Sequence, residues 1–208
     1  MAKLRMGVVG MGMGMGHARG FDTHPGAELV ALCDVDEQRL QAVADEFGIT
    51  ELYTDAETMF CKAGLDAVGI AVPNNLHAAL TISALRQGLH VLCEKPMAMT
   101  VAEARRMNEV ADKTGLNLMI DFSHRFTEAA SALKQQVDAG VLGDIYFGRT
   151  AWHRNRGIPG MGGWNAVAPV ARRTTSGDSA RMFSACASCP RRMSTSSFSH
   201  CSAAYRQA

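Results

Sequence analysis

Directly behind the chain's first apolar run, residues 4–9, stands Gly10-Met11-Gly12-Met13-Gly14-Met15-Gly16, and behind that a helical pattern beginning near His17. Alternate glycines between a strand and a helix constrain the fold more than any other segment. They permit a sharp turn and let the helix N-terminus close onto the strand end. Such an N-terminus presents unpaired N–H groups and a partial positive charge, which suits a phosphate. The spacing is Gly-x-Gly-x-Gly-x-Gly, with Met15 where Gly-x-Gly-x-x-Gly wants its last glycine. Glycines that merely let strand and helix pack closely would give the same pattern.

The segments that follow repeat the strand-then-helix theme. Apolar β-rich runs are expected at 28–33, 67–72, 90–93 and 117–121, with a weaker one at 51–53, and helical spacing marks 36–47, 56–62, 76–87 and 101–114. Gly48, Gly64, Gly88 and Gly115 follow the helices, where a C-terminal glycine is favoured. A strand-plus-helix period of about 25 to 30 residues is that of an α/β, doubly wound parallel sheet, the Rossmann arrangement. Residues 1–121 are therefore expected to form a dinucleotide-binding domain. From 122 the pattern changes to one helix, 128–139, and one strand, 145–152, then an Arg-Gly-Pro loop through Trp164. Residues 122–164 read as the start of an incomplete second α+β domain.

Composition separates what comes after Trp164. Residues 1–164 hold 15 of the 21 Lys and Arg and 19 of the 20 Asp and Glu, a balance of −4, whereas the last 44 residues carry 6 − 1 = +5. Those 44 contain no Leu, Ile or Lys and nine Ser, too little apolar material for an ordinary core. Residues 165–208 are expected to be a disordered or out-of-frame tail. Cys186, Cys189, His200 and Cys201 crowd there, but their Ser-Arg surroundings offer no ordered shell for zinc, and no metal is expected. Cys33, Cys61 and Cys93 read as reduced, buried thiols. A net charge of +1 provides no basic field for nucleic acid, and the apolar runs are strand-length, so no membrane partner is expected. Met1-Ala2-Lys3 runs straight into a strand without a leader, which makes a cytoplasmic location the expectation.

Asp34 lies 24 residues after Gly10 at the end of the second strand, where a carboxylate accepts hydrogen bonds from ribose hydroxyls. Asp36 reads as a helix N-cap. Glycine loop and carboxylate together leave hydride transfer and S-adenosylmethionine-dependent methyl transfer both open. Two later segments, Val72-Pro73-Asn74-Asn75-Leu76-His77 and Cys93-Glu94-Lys95-Pro96, end the fourth and fifth apolar runs. With the glycine loop, Asp34 and His124-Arg125-Phe126, they resemble the Gfo/Idh/MocA family of nicotinamide-dependent sugar and polyol oxidoreductases. The resemblance covers about residues 3–164.

That resemblance implies a role for Lys95 beside the nicotinamide and the substrate hydroxyl as the catalytic residue; the bland alternative is a solvated lysine ending a strand. It implies cofactor contacts from Gly10, Gly12, Met13, Gly14, Met15, Asp34, Pro73, Asn74, His77, Glu94 and Lys95, with His124 and Arg125 near the nicotinamide or the domain junction. For His77 the alternative is a satisfied core histidine. NAD is the expected cofactor, because Asp34 would repel a 2′-phosphate; Arg39 leaves NADP possible. The implied partner is a small sugar or polyol. Residues 154–164 resemble the family's loop toward the substrate, but its Asp-x-x-x-His pattern does not occur after Trp164. The expectation is thus an oxidoreductase whose substrate half is largely missing, with impaired oligomerisation and negligible turnover. A non-catalytic NAD-binding module is the alternative, and a methyltransferase a weaker one.

Overall fold

The computed structural model describes residues 2–151. Strands β1 (Leu4–Val9), β2 (Ala27–Cys33), β3 (Glu51–Tyr53), β4 (Ala67–Ile70), β5 (His90–Glu94) and β6 (Leu118–Asp121) form one sheet in the order β3-β2-β1-β4-β5-β6. Every pairing is parallel, with Val9 opposite both Cys33 and Ile70, and Glu94 opposite Asp121. Parallel strands need crossovers, which α1 (Gly14–Thr23), α2 (Glu37–Phe47), α3 (Ala56–Lys62), α4 (His77–Arg86) and α5 (Val101–Thr114) supply.

Alternation along the strands divides the core into two layers. Val8, Leu32 and Ala67 pack with Phe21 of α1 and Leu40 and Val43 of α2. Their chain neighbours Val9, Cys33 and Val68 pack with Phe60 of α3, Leu85 of α4 and Met107 of α5. Both faces are covered, which explains why the central strands read as continuous apolar runs. The helices stop and start on local chemistry. Thr100 and Glu103 close a capping box on α5, Asp36 accepts from the Arg39 amide, and Asp55 from the Thr58 amide. Gly48 and Gly115 end α2 and α5 in the left-handed conformation.

Several expectations need correction. The first helix begins at Gly14, not near His17, because the Gly14 amide already bonds back to the Gly10 carbonyl at 3.1 Å. Residues Asn74–Leu76 form a 3-10 turn, and α4 starts only at His77. Cys33 and Cys93 are buried but Cys61 is exposed, since it lies on the outward side of α3. Burial pushes the Cys33 thiol up to about 12 and the Cys93 thiol to about 11, so both stay protonated at neutral pH.

Residues to Thr127 make one compact unit, and Glu128 begins a second, which opens with α6 (Glu128–Asp138). The strand expected at 145–152 does not form over its described part, 145–151. A strand needs a partner for its backbone groups, and no described residue pairs there. The substrate-directed loop of 154–164, the tail and its cysteines lie outside the described residues. Among those described, no helix is long and apolar enough to cross a membrane.

Candidate functional site

Because all six strands point the same way, the segments singled out in the sequence leave the sheet along one edge, at the strands' carboxyl ends. The glycine loop follows β1, Asp34 follows β2, Pro73 and Asn74 follow β4, Lys95 follows β5, and His124 and Arg125 follow β6. The strand order reverses between β1 and β4, and at such a switch point the outgoing connections part and leave a crevice.

The loop glycines divide the work. At Gly10, φ is +90° and an added Cβ would stand 2.3 Å from the Ala71 carbonyl oxygen, so this glycine brings the β1 and β4 ends together. A Cβ on Gly14 would lie 2.8 Å from Val8 Cγ1, so Gly14 seats α1 on the sheet, and Met15 need not be glycine. A Cβ on Gly12 would meet nothing within 4 Å. Packing therefore explains Gly10 and Gly14 but leaves Gly12 unexplained. Met13, exposed, precedes α1, whose first turn has neither a side-chain cap nor an acidic residue.

Asp34 is buried, and its carboxylate ties this loop to the next. Oδ2 accepts from the Met11 amide at 2.7 Å and Oδ1 from the Asp36 amide at 2.9 Å. Arg39 reaches Asp36 at 2.8 Å and Asp34 at 3.4 Å. On the far side of the crevice, Asn74 Oδ1 is buried with no hydrogen-bond partner among the described residues, and Pro73 is exposed beside it.

Lys95 lies exposed just beyond Glu94, its amide donating to Glu94 Oε2 at 3.1 Å. The Glu94 side chain itself turns inward, where His17 Nε2 of α1 stands 3.3 Å from Oε1 and 4.0 Å from Asp121 Oδ2. Burial pushes the Glu94 carboxyl up, but His17 and Lys95 outweigh it and hold it below its ordinary range. At Asp121 burial dominates, and the carboxyl is raised. His77 is fully buried, with Nδ1 2.6 Å from the Pro96 carbonyl oxygen and Nε2 2.9 Å from that of Val72. Both ring nitrogens face backbone carbonyls of the segments that carry Asn74 and Lys95. His124 and Arg125 are exposed in the 3-10 turn Ser123–Phe126, the Arg125 guanidinium 5.1 Å over the Phe122 ring.

Sequence reasoning missed His17 and Asp121 as partners of Glu94. The signal for His17 was available: it shares the buried stripe Gly14, His17, Ala18, Phe21, and a polar residue there needs a partner. Asp121 carried a weaker one, an acid ending a strand at the ligand-binding edge.

A dinucleotide fits this edge on three counts. Open space over Gly12 admits a pyrophosphate to an uncapped helix N-terminus. The Asp34 oxygens keep further lone pairs for ribose hydroxyls. Asn74 Oδ1 is a buried acceptor still lacking a donor.

Comparison with known proteins agrees. The Gfo/Idh/MocA family model, described as an oxidoreductase family with an NAD-binding Rossmann fold, matches residues 4–122. A D-glucoside 3-dehydrogenase from Escherichia coli is 39% identical over 161 residues, 76% of this chain and 46% of its own length. An inositol 2-dehydrogenase from Rubrobacter xylanophilus is 36% identical over 76% of this chain and 46% of its own. The crystal structure of scyllo-inositol dehydrogenase from Lactobacillus casei with bound NAD(H) and scyllo-inositol superposes with a TM-score of 0.66 at 32% identity, covering 68% of this chain and 43% of that one. The chain thus spans less than half the length of these relatives.

Proposed function

Because the chain belongs to the Gfo/Idh/MocA oxidoreductase family, with its NAD-binding Rossmann fold, we propose that it holds NAD across the ends of β1, β2 and β4 and serves hydride transfer at a carbon–oxygen bond of a sugar or inositol. The observation that carries this reading is the gathering of Gly12, Asp34, Asn74 and Lys95 at one edge of a single parallel sheet, around the switch between β1 and β4. The relatives' names, a glucoside dehydrogenase and inositol dehydrogenases, support the polyol class.

Bound NAD supplies the hydride acceptor. The loop amides and the N-terminus of α1 receive the pyrophosphate, and Asp34 accepts from the ribose hydroxyls. A carboxylate there repels a 2′-phosphate, which favours NAD over NADP, and the Asp36–Arg39 pair holds the nearest guanidinium. Lys95 presents an ammonium where the substrate oxygen gains negative charge, and a donor already in place acts without reorganisation. His124 and Arg125, in the turn after β6, extend the same edge near the nicotinamide or the domain junction.

The reading is tested in two steps, NADH binding by fluorescence and NAD reduction with a panel of inositols and glucosides. The 208-residue chain, which spans less than half of its relatives' length, is expected to bind NADH with negligible turnover. In a full-length relative, loss of the Glu-Lys-Pro lysine is expected to leave NADH affinity within about threefold and to lower turnover by about 10²- to 10⁴-fold, as for loss of an acid–base group. Turnover of the full-length relative unchanged by that substitution contradicts the role read for Lys95. NADH binding without turnover identifies the 208-residue chain as a dinucleotide-binding module, and robust NAD reduction by it, abolished by Lys95→Ala, contradicts a missing substrate half.

A further inference from the structure

The ladder between β4 and β5 ends at Ile70 and Cys93. Beyond it the two chains separate, one running through Val72 to Pro73 and Asn74, the other through Glu94 to Lys95 and Pro96. Ala71 still bonds to Val9 of β1 and Glu94 still pairs with Asp121 of β6, but the β4–β5 ladder no longer holds these two ends to each other, and both carry residues of the proposed site. What joins them is the His77 imidazole at the first residue of α4. It stands between the Val72 and Pro96 carbonyl oxygens at 2.9 and 2.6 Å.

We propose that His77 is a positioning residue for Lys95. Its Nδ1–H, donating to the Pro96 carbonyl, fixes the Lys95–Pro96 backbone against the start of α4 and the loop before it, which carries Asn74. Three features support a specific tie over simple core filling. The ring is completely buried, so water offers its nitrogens no alternative partners. Both neighbours are carbonyl oxygens, which only accept, so a neutral ring, with one N–H, donates to one of them, and the shorter contact, Nδ1 to the Pro96 oxygen at 2.6 Å, is the one assigned the proton. The Pro96 carbonyl belongs to the residue next to Lys95, leaving little backbone freedom between the tie and the ammonium-bearing side chain. The proposal rests on Lys95 being the catalytic residue.

Three substitutions separate the two contacts. In the full 208-residue chain, His77→Asn keeps a donor near the Nδ1 position, facing Pro96. His77→Gln keeps one near the Nε2 position, facing Val72, and His77→Phe keeps the ring shape with no donor. The readout is hydrogen exchange at the Lys95 amide, normalised to core amides such as those of Val8 and Val68 so that global destabilisation is divided out. With a net hydrogen bond lost, exchange at Lys95 is expected to quicken by about tenfold in His77→Phe and His77→Gln, and by less than about threefold in His77→Asn. Equal effects of Asn and Gln, or no change at Lys95 beyond that of the core amides, overturn the positioning role. If His77→Phe does not fold, the Asn and Gln pair still decides, because each retains a donor. Failure of the Lys95 reading itself shows elsewhere, as a full-length relative's turnover unaffected by loss of its Glu-Lys-Pro lysine, and leaves the exchange result standing.

Discussion

Asp34 binds its own loops with both carboxylate oxygens, Oδ2 accepting from the Met11 amide and Arg39 and Oδ1 from the Asp36 amide, which leaves acceptor capacity on Oδ1. Asp34→Ala is therefore expected to weaken NADH binding by about 10- to 100-fold, the range of a hydrogen bond to a charged group. Arg39 is the counterweight. NADH is expected to bind more tightly than NADPH in the unaltered chain, and Arg39→Ala to weaken NADPH further while sparing NADH; parallel fluorescence titrations check both. Glu94 and Asp121, paired across β5 and β6, respond to pH with opposite signs. Glu94, held low chiefly by His17 and Lys95 against its burial, stabilises the fold above its ordinary value of 4.5, and that contribution is lost as pH falls through the lowered value. Asp121, raised by burial, costs nothing below its ordinary value of 3.8; the penalty builds as pH rises from there to the raised value and stays constant above it. Asp121→Asn should accordingly raise the thermal midpoint at pH 7, with the gain vanishing as the pH falls toward 3.8. A gain of the same size at both pH values would show that the carboxylate charge is not the cause.

Among the elements, the glycine loop offers the sharpest contrast between folding and function. Gly12→Ala is expected to leave the thermal midpoint unchanged, since its Cβ meets nothing, and to lower NADH affinity by about tenfold or more as the pyrophosphate loses its approach. Gly10→Ala should instead destabilise the fold by about 1–3 kcal/mol or more, through a backbone clash and a positive φ. Melting curves beside binding curves distinguish the two. The same loop shows what a sequence reveals. The expected bounds of β1, α3 and α5 match those observed, because apolar periodicity, the Asp55 cap and the Thr100–Glu103 box are local signals. That Gly14 does the packing left undone by Met15 was not legible, since it depends on Val8 and Ala71 lying opposite in space. Nor were the two histidine contacts. His77 meets Pro96 from 19 positions away, and His17 of α1 meets Glu94 at the end of β5, pairings that periodicity does not encode. The strand expected at 145–152 shows the converse: a β-rich run without a partner leaves its backbone groups unpaired and stays irregular over 145–151.

At the scale of the molecule, strand order determines where a ligand belongs. The order β3-β2-β1-β4-β5-β6 sets the glycine loop and Asp34 on one side of the switch and Asn74, Lys95 and Arg125 on the other. A rival location exists within the same unit, a groove against one face of the sheet lined largely by apolar residues including Met6, Phe21, Val91, Met119 and Phe126. It has the apolar lining of a small-molecule pocket but lies away from the glycine loop and Asp34. The two locations are told apart by following backbone amide resonances of the full chain while NAD is added. Saturable shifts are expected at Met11, Gly12, Met13, Asp36 and Asn74, weakened together by Asp34→Ala. The absence of saturable shifts, or shifts centred on Phe21, Met119 and Phe126 with the glycine loop unmoved, would contradict a dinucleotide site at the carboxyl edge of the sheet.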